Sequence, residues 1–124
     1  MMPIIPIEGW EDCYLAFTRR LLETAPIRRL TLGGICIYRS ARDLMERKMG
    51  TRNLVSERID RASPIAGDGR ARYSRNLRHE VYSLIIASAR RFRPDLEIAL
   101  CLEEEALWES TGLGGSMGRC NCRL

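Results

Sequence analysis

Apolar residues recur along this chain in two alternating rhythms, one of period two and one of helical spacing. The opening "MPIIPIE" reads as a short buried strand leading into a loop. In "EGWEDCYLAFTRRLLETAP", Trp10, Cys13, Tyr14, Phe17 and Leu21 fall at helical spacing, and Pro26 closes the helix. "IRRLTLGG" switches to period two: Leu30 and Leu32 alternate with Arg29 and Thr31, and Gly33-Gly34 ends the strand. "SARDLMERKMG" predicts a helix with Ser40 at its N-cap, Asp43 three residues on as in a capping box, and Gly50 as its stop. Thr51 to Ser74 is polar and weakly periodic, with Pro64, Gly67 and Gly69, and predicts a long loop with room for one helical turn. Leu77, Val81, Leu84, Ile85 and Ser88 then mark the inner face of a helix ending before Pro94. "DLEIALCL" is a buried strand, and "EEEALWESTGL" a short acidic helix whose first carboxylates suit the positive end of the helix dipole.

Strand and helix thus alternate about three times, the pattern of a parallel sheet covered by helices. The predicted fold class is α/β: a partial parallel β/α barrel of about three strands with covering helices. Three strands are few for a free-standing parallel sheet, which needs both faces covered and its edges protected. Residues 1–113 are therefore expected to be a half-barrel segment of something larger, and 114–124, "GGSMGRCNCRL", a flexible Gly/Cys tail. The expected core is Trp10, Tyr14, Phe17, Leu84, Ile85, Ile98, Leu100 and Trp108.

Composition narrows the class. A chain of 124 residues, 45% hydrophobic and 29% charged, is sized and mixed for one globular domain. No apolar run approaches the ~20 residues that span a bilayer, and the opening residues lack a basic, then apolar, secretory leader. The expectation is a cytoplasmic protein without membrane contact. Five cysteines (Cys13, Cys36, Cys101, Cys120, Cys122) are an odd, scattered set and make a poor disulfide framework. Cys13, Cys36 and Cys101 have apolar neighbours and read as buried thiols. Cys120 and Cys122 form a C-x-C pair that would suit a metal, a redox couple or no role at all. The net charge is +4, but from Arg58 to Arg93 nine arginines meet three acids, a local +6. The acids gather afterwards, at Glu103, Glu104, Glu105 and Glu109. That asymmetry points to an anionic partner for the middle of the chain.

Candidate chemistry follows from the strand ends and the arginines. In α/β folds ligands gather at the C-terminal ends of parallel strands, here Pro6 to Glu8, Gly33 to Arg39, and Leu102 to Glu105. Gly33 and Gly34 either let a cofactor approach the backbone or simply turn the chain. In "GDGRARYSRNLR", Arg70, Arg72, Arg75 and Arg78 cannot share one helix face, but a loop can aim several inward. Arginine grips phosphate through two parallel bonds, and Tyr73 offers a ring for a base. The plainer alternative is a solvated arginine face with Tyr73 in the core. His79 is the sole histidine, which rules out chemistry needing several, and it reads as a surface or interfacial residue.

Four segments together carry a family resemblance: "PIIPIEGWEDCY", "IRRLTLGGICIY", "DGRARYSRNLRHEVY" and "LEIALCLEEEALWESTGL". In order and spacing they resemble the C-terminal third of spore photoproduct lyases and related radical SAM proteins, over Pro3 to Leu113. The resemblance implies the C-terminal half of a radical-SAM-type barrel. In the complete family protein that barrel holds a [4Fe-4S] cluster and S-adenosylmethionine, and reverses a thymine cross-link in DNA. It implies that Arg72 and Tyr73 match the family's Arg-Tyr pair at the lesion pocket. Arg70, Arg75 and Arg78 would hold DNA, and Gly33, Gly34 and Ile35 would lie near the cofactor. The cluster motif C-x3-C-x2-C is missing from this chain, so no cofactor is expected on it alone, nor any catalytic or metal-binding residue. The expected partners are DNA and the missing N-terminal half of the barrel. Two other readings stand beside this one: a separate nucleic-acid-binding module that uses the Arg/Tyr loop, and a remnant without function.

Overall fold

Leu30 and Leu32 point one way out of their strand and Arg29 and Thr31 the other, and the helices cover the leucine side. The computed structural model describes residues 1–51, 53–59 and 69–119. In chain order its elements are α1 (Trp10–Thr24), β1 (Arg29–Leu32), β2 (Cys36–Tyr38), α2 (Arg39–Met49), β3 (Arg70–Arg72), α3 (Arg75–Phe92), β4 (Glu97–Leu100) and α4 (Glu105–Ser110), with a 3-10 turn at Gly114–Ser116. β1 and β4 pair in parallel, from Arg29 opposite Glu97 to Leu32 opposite Leu100. A second parallel bridge joins Ile4 to Gly34, and the Ile4 amide donates to the Gly33 carbonyl at 2.8 Å.

The parallel segments therefore lie side by side in their sequence order: the Ile4 segment, β1, then β4. Helical chain covers each crossover, α1 in the first and α2 and α3 in the second. The expected parallel pairing and covering helices are present. Among the described residues the sheet does not close into a barrel.

Both strand faces are occupied unequally. Trp10 and Leu22 of α1, Tyr82, Ile85 and Ile86 of α3, and Leu107 and Trp108 of α4 join Leu30, Leu32, Ile98 and Leu100 in one buried cluster. The other face carries Arg29 and Glu97, linked at 2.8 Å.

Sequence periodicity misplaced two members of α1. Phe17 is 51% exposed and Cys13 is exposed, whereas Thr18 and Leu22 are buried. The buried stripe runs Trp10, Tyr14, Thr18, Leu22, so Phe17 sits about 100° round the helix from it. The other expected core residues lie in this cluster or pack against it, Leu84 and Tyr14 from its margin. Cys101 is buried and Cys36 half-buried.

A larger departure lies in the middle of the chain. Cys36–Tyr38 and Arg70–Arg72 form an antiparallel pair, with Cys36 opposite Arg72 and Tyr38 opposite Arg70. The stretch expected to be a loop thus contributes a strand, and the sheet content is not parallel throughout. Ala71 and Tyr73 turn inward to join Ile35 and Ile59 in a second small core. Because β2 runs directly into α2, Tyr38 is the residue that caps the helix, without a side-chain bond. Ser40, the expected cap, lies inside the first turn. Gly50 ends α2 at φ 85, as expected of a glycine stop. Asn53 organises a turn beyond it, its side-chain oxygen accepting from the Val55 and Ser56 amides at 3.1 and 3.0 Å. Among the described residues no helix is long and apolar enough to cross a membrane.

Candidate functional site: the rim of the parallel strands

β1 runs out through Gly33-Gly34 and β4 through Cys101, Leu102 and Glu103, so both strands deliver their ends to one rim. Leu102 leaves β4 in left-handed backbone, φ 57, a conformation that costs a branched residue about 1–2 kcal/mol. What that turn secures is the placement of Glu103 under the first turns of α3. Helix α3 starts at a fixed point because the Ser74 hydroxyl accepts from the Leu77 amide at 3.3 Å. Arg78 and Tyr82 follow four residues apart, hence on one helix face, and both reach Glu103.

The contacts form a closed set. Arg78 pairs through Nη1 with Glu103, through Nη2 with Glu104 at 3.1 Å, and through Nε with the Tyr73 carbonyl at 3.0 Å. The Tyr82 hydroxyl donates to Glu103 at 2.6 Å and accepts from the Gly34 amide at 2.7 Å. Arg75 grips Glu104 with two bonds, 2.8 and 2.9 Å. The side chains of Arg78 and Glu103 are only 9% and 3% exposed. This is a buried, fully partnered charge pair that fastens the β1 exit, the β4 exit and the start of α3 to each other.

Burial sets the acidities. Loss of water pushes the Glu103 carboxyl above its ordinary range, against the opposing pull of Arg78 and Tyr82. Its neighbour Glu104 is held below that range, first by the hydrogen bond from Arg75. Desolvation also raises the Tyr82 hydroxyl and takes that of Tyr73 up to about 12. The two adjacent carboxyls thus act on stability with opposite signs. Glu103, raised in the folded state, contributes most below the unfolded carboxyl range and loses that contribution as pH rises through its folded pKa. Glu104, lowered, contributes above that range and loses its contribution as pH falls through its folded pKa. Carbon-13 NMR of the two carboxyls is expected to show Glu103 titrating above 4.5 and Glu104 below it. Coincident titrations would mean that the Glu103 pocket admits water.

The five residues read as substrate- or DNA-contacting are not gathered at one point. Arg75 and Arg78 belong to the rim network and face acids of this chain. Tyr73 is 3% exposed, with its hydroxyl 3.4 Å from the Val55 carbonyl; in this fold its ring is a core ring. Arg70 and Arg72 lie on β3, on the same side of the ribbon. Arg70 rests over the Tyr38 ring, 5.0 Å from its centre, and Arg72 adds its charge to those that draw on Glu103. The start of the Arg loop, Gly67 and Asp68, and the tail pair Cys120 and Cys122 lie outside the described residues.

Gly33, Gly34 and Ile35, the expected cofactor neighbours, are enclosed by the chain itself. A Cβ on Gly33 would meet Met2 at 3.0 Å and Cys101 at 3.4 Å, and one on Gly34 would meet the Tyr82 hydroxyl at 3.2 Å. Ile35 belongs to the second core. The close approach that these glycines permit is used by Met2 and Tyr82. Among the described residues no group of three or more His, Cys, Asp or Glu is placed to hold a metal ion. His79 bridges α3 to α4, with Nε2 3.3 Å from the Ser110 carbonyl oxygen.

Tyr82 is the rim residue that the sequence does not single out, while Glu103 and Glu104 stand out only as acids at the end of the last strand. The signal was present, since the acids that gather after the arginine run are the ones that neutralise Arg75 and Arg78. Compared with family models, with curated proteins and with solved structures, the chain gives no match in any of the three. Fold and site define a mixed α/β protein with a buried ionic rim beside a basic, aromatic ribbon.

Proposed function

We propose that this chain is the C-terminal β/α portion of a radical SAM protein like the spore photoproduct lyases, and that it supplies DNA-contacting surface to a barrel completed by other chain. One observation carries the reading: three parallel segments stand side by side in sequence order with helical crossovers, as in a β/α barrel. Beside that rim, the β2–β3 ribbon offers Arg70 and Arg72 on one side. The cluster and S-adenosylmethionine belong, in this proposal, to the part of the barrel that carries C-x3-C-x2-C, and no residue of this chain is assigned to them.

The DNA upstream of Met1 tests the proposal. An in-frame or adjacent C-x3-C-x2-C is expected there, and an intact upstream region without one would overturn it. DNA contact has its own check in ionic strength. Each phosphate neutralised on a single strand contributes a slope of about −0.7 to log affinity against log salt. With Arg70 and Arg72 both engaged the slope is expected near −1.4, and each Arg→Ala change should remove about half of it. Binding indifferent to salt would take both arginines off the phosphates.

A further inference from the structure

We infer that Tyr38, not Tyr73, is the ring on which an unstacked base of single-stranded DNA is held, with Arg70 as its fixed cationic partner. The inference rests on the DNA-contacting reading and deepens it. Tyr73 is 3% exposed, its ring enclosed in the second core, whereas Tyr38 is 56% exposed. The antiparallel register decides the rest. Residues directly opposite one another share a face, and alternate residues share it too. Tyr38 stands opposite Arg70 and Cys36 opposite Arg72, while Ile37 and Ala71 form the middle pair. Ala71 is buried and Ile37 packs on the second core, so Tyr38, Arg70 and Arg72 share the opposite face, exposed at its Tyr38 end and half-buried at Arg70 and Arg72.

Arg70 is already placed for the task. Its guanidinium lies 5.0 Å from the Tyr38 ring centre, and Nη2 donates to the Tyr38 hydroxyl at 3.2 Å. These contacts fix the ring and hold a cation beside it before any ligand arrives, which lowers the ordering cost on binding. Arg72 follows two residues along the same face, about 7 Å on at the rise of a strand, close to the spacing of successive phosphates in a stretched single strand. A ring for the base and cations for the backbone are what sequence-tolerant single-strand binding requires. The orientation is set by the core beneath: Ala71 and Tyr73 turn into it, and Arg70 and Arg72 take the other face of the ribbon.

The test is fluorescence anisotropy of the full chain with a labelled 16-mer of thymidylate and with an abasic strand of equal length, at low salt. Tyr38→Ala is expected to weaken thymidylate binding roughly 5- to 150-fold, one base stack converted at a factor of ten per 1.4 kcal/mol. The same change should weaken the abasic strand far less, and Tyr38→Phe, which keeps the ring but loses the hydroxyl that Arg70 holds, should lose less thymidylate binding than Tyr38→Ala. Circular dichroism melting of Tyr38→Ala, at an exposed position, is expected to match the parent. Equal thymidylate affinity in parent and Tyr38→Ala would overturn the Tyr38 platform and leave DNA contact standing. Equal loss on both strands would do the same, since it would assign Tyr38 to holding Arg70 alone. Absence of binding to either strand by the parent would overturn the inference and the DNA reading together.

Discussion

Arg78→Ala is expected to lower the unfolding free energy by about 3–5 kcal/mol, the usual cost of removing one partner from a buried ion pair. The reason lies in what remains. The Glu103 side chain is 3% exposed and would keep its Tyr82 hydrogen bond but lose its counter-charge, and the Tyr73 carbonyl would lose its donor. Native stabilities run about 5–15 kcal/mol, so one side chain would remove a large share. Arg75→Ala, a few residues away, should cost no more than about 1 kcal/mol, because Arg75 is 61% exposed and water replaces it. The pH dependence separates the charge from the packing. Without Arg78, the already raised Glu103 carboxyl rises further, and protonation can relieve the unpaired charge. The loss should therefore be smaller in mild acid, grow as pH rises from the parent's Glu103 pKa to the variant's, and level off above it. Urea unfolding at two pH values reads both quantities. Equal losses for Arg78→Ala and Arg75→Ala, flat with pH, would show that the rim is solvated.

Trp108→Ala should be as damaging, about 3–5 kcal/mol, through the cavity left by a large ring. Trp108 is 4% exposed and helps to hold α4 in the main cluster. Phe17→Ala, an equally drastic truncation on paper, should change stability by no more than about 0.5 kcal/mol because half of Phe17 faces solvent. Thermal melts of the two variants side by side test the division of the core. A large loss at Phe17 would mean that its exposed side is covered in solution.

The contrast between Trp108 and Phe17 also marks how far the sequence could be read. Period and spacing identify α1, β1, α3, β4 and α4 because each is a local pattern with its own stop, such as Pro26 or Pro94. The phase of α1 is not legible from polarity, because Phe17 is more apolar than Thr18, yet the helix turns Thr18 inward. Strands β2 and β3 were hidden for another reason. Each is three residues long, and "RAR" carries its polarity on one side of a ribbon whose partner strand is Cys36–Tyr38, far back in the chain. Nothing local announces such a pairing. The rim is half visible in the sequence: the arginines and the acids both stand out, but only the left-handed turn at Leu102 brings Glu103 beneath Arg78. That turn has no sequence signature, since a leucine is the last residue one would place there.

The pairing of β1 with β4 has a consequence in time. Arg29 and its partner Glu97 are 68 residues apart, and α3, against which α1 packs, also comes late in the chain. A ribosome adding 5–20 residues each second needs roughly 3–14 s to span that gap. Throughout that interval Leu30 and Leu32 have been made, but the strand and the helix that bury them have not. The nascent N-terminal third must wait, with one flank of β1 open, for the C-terminal third to close over it.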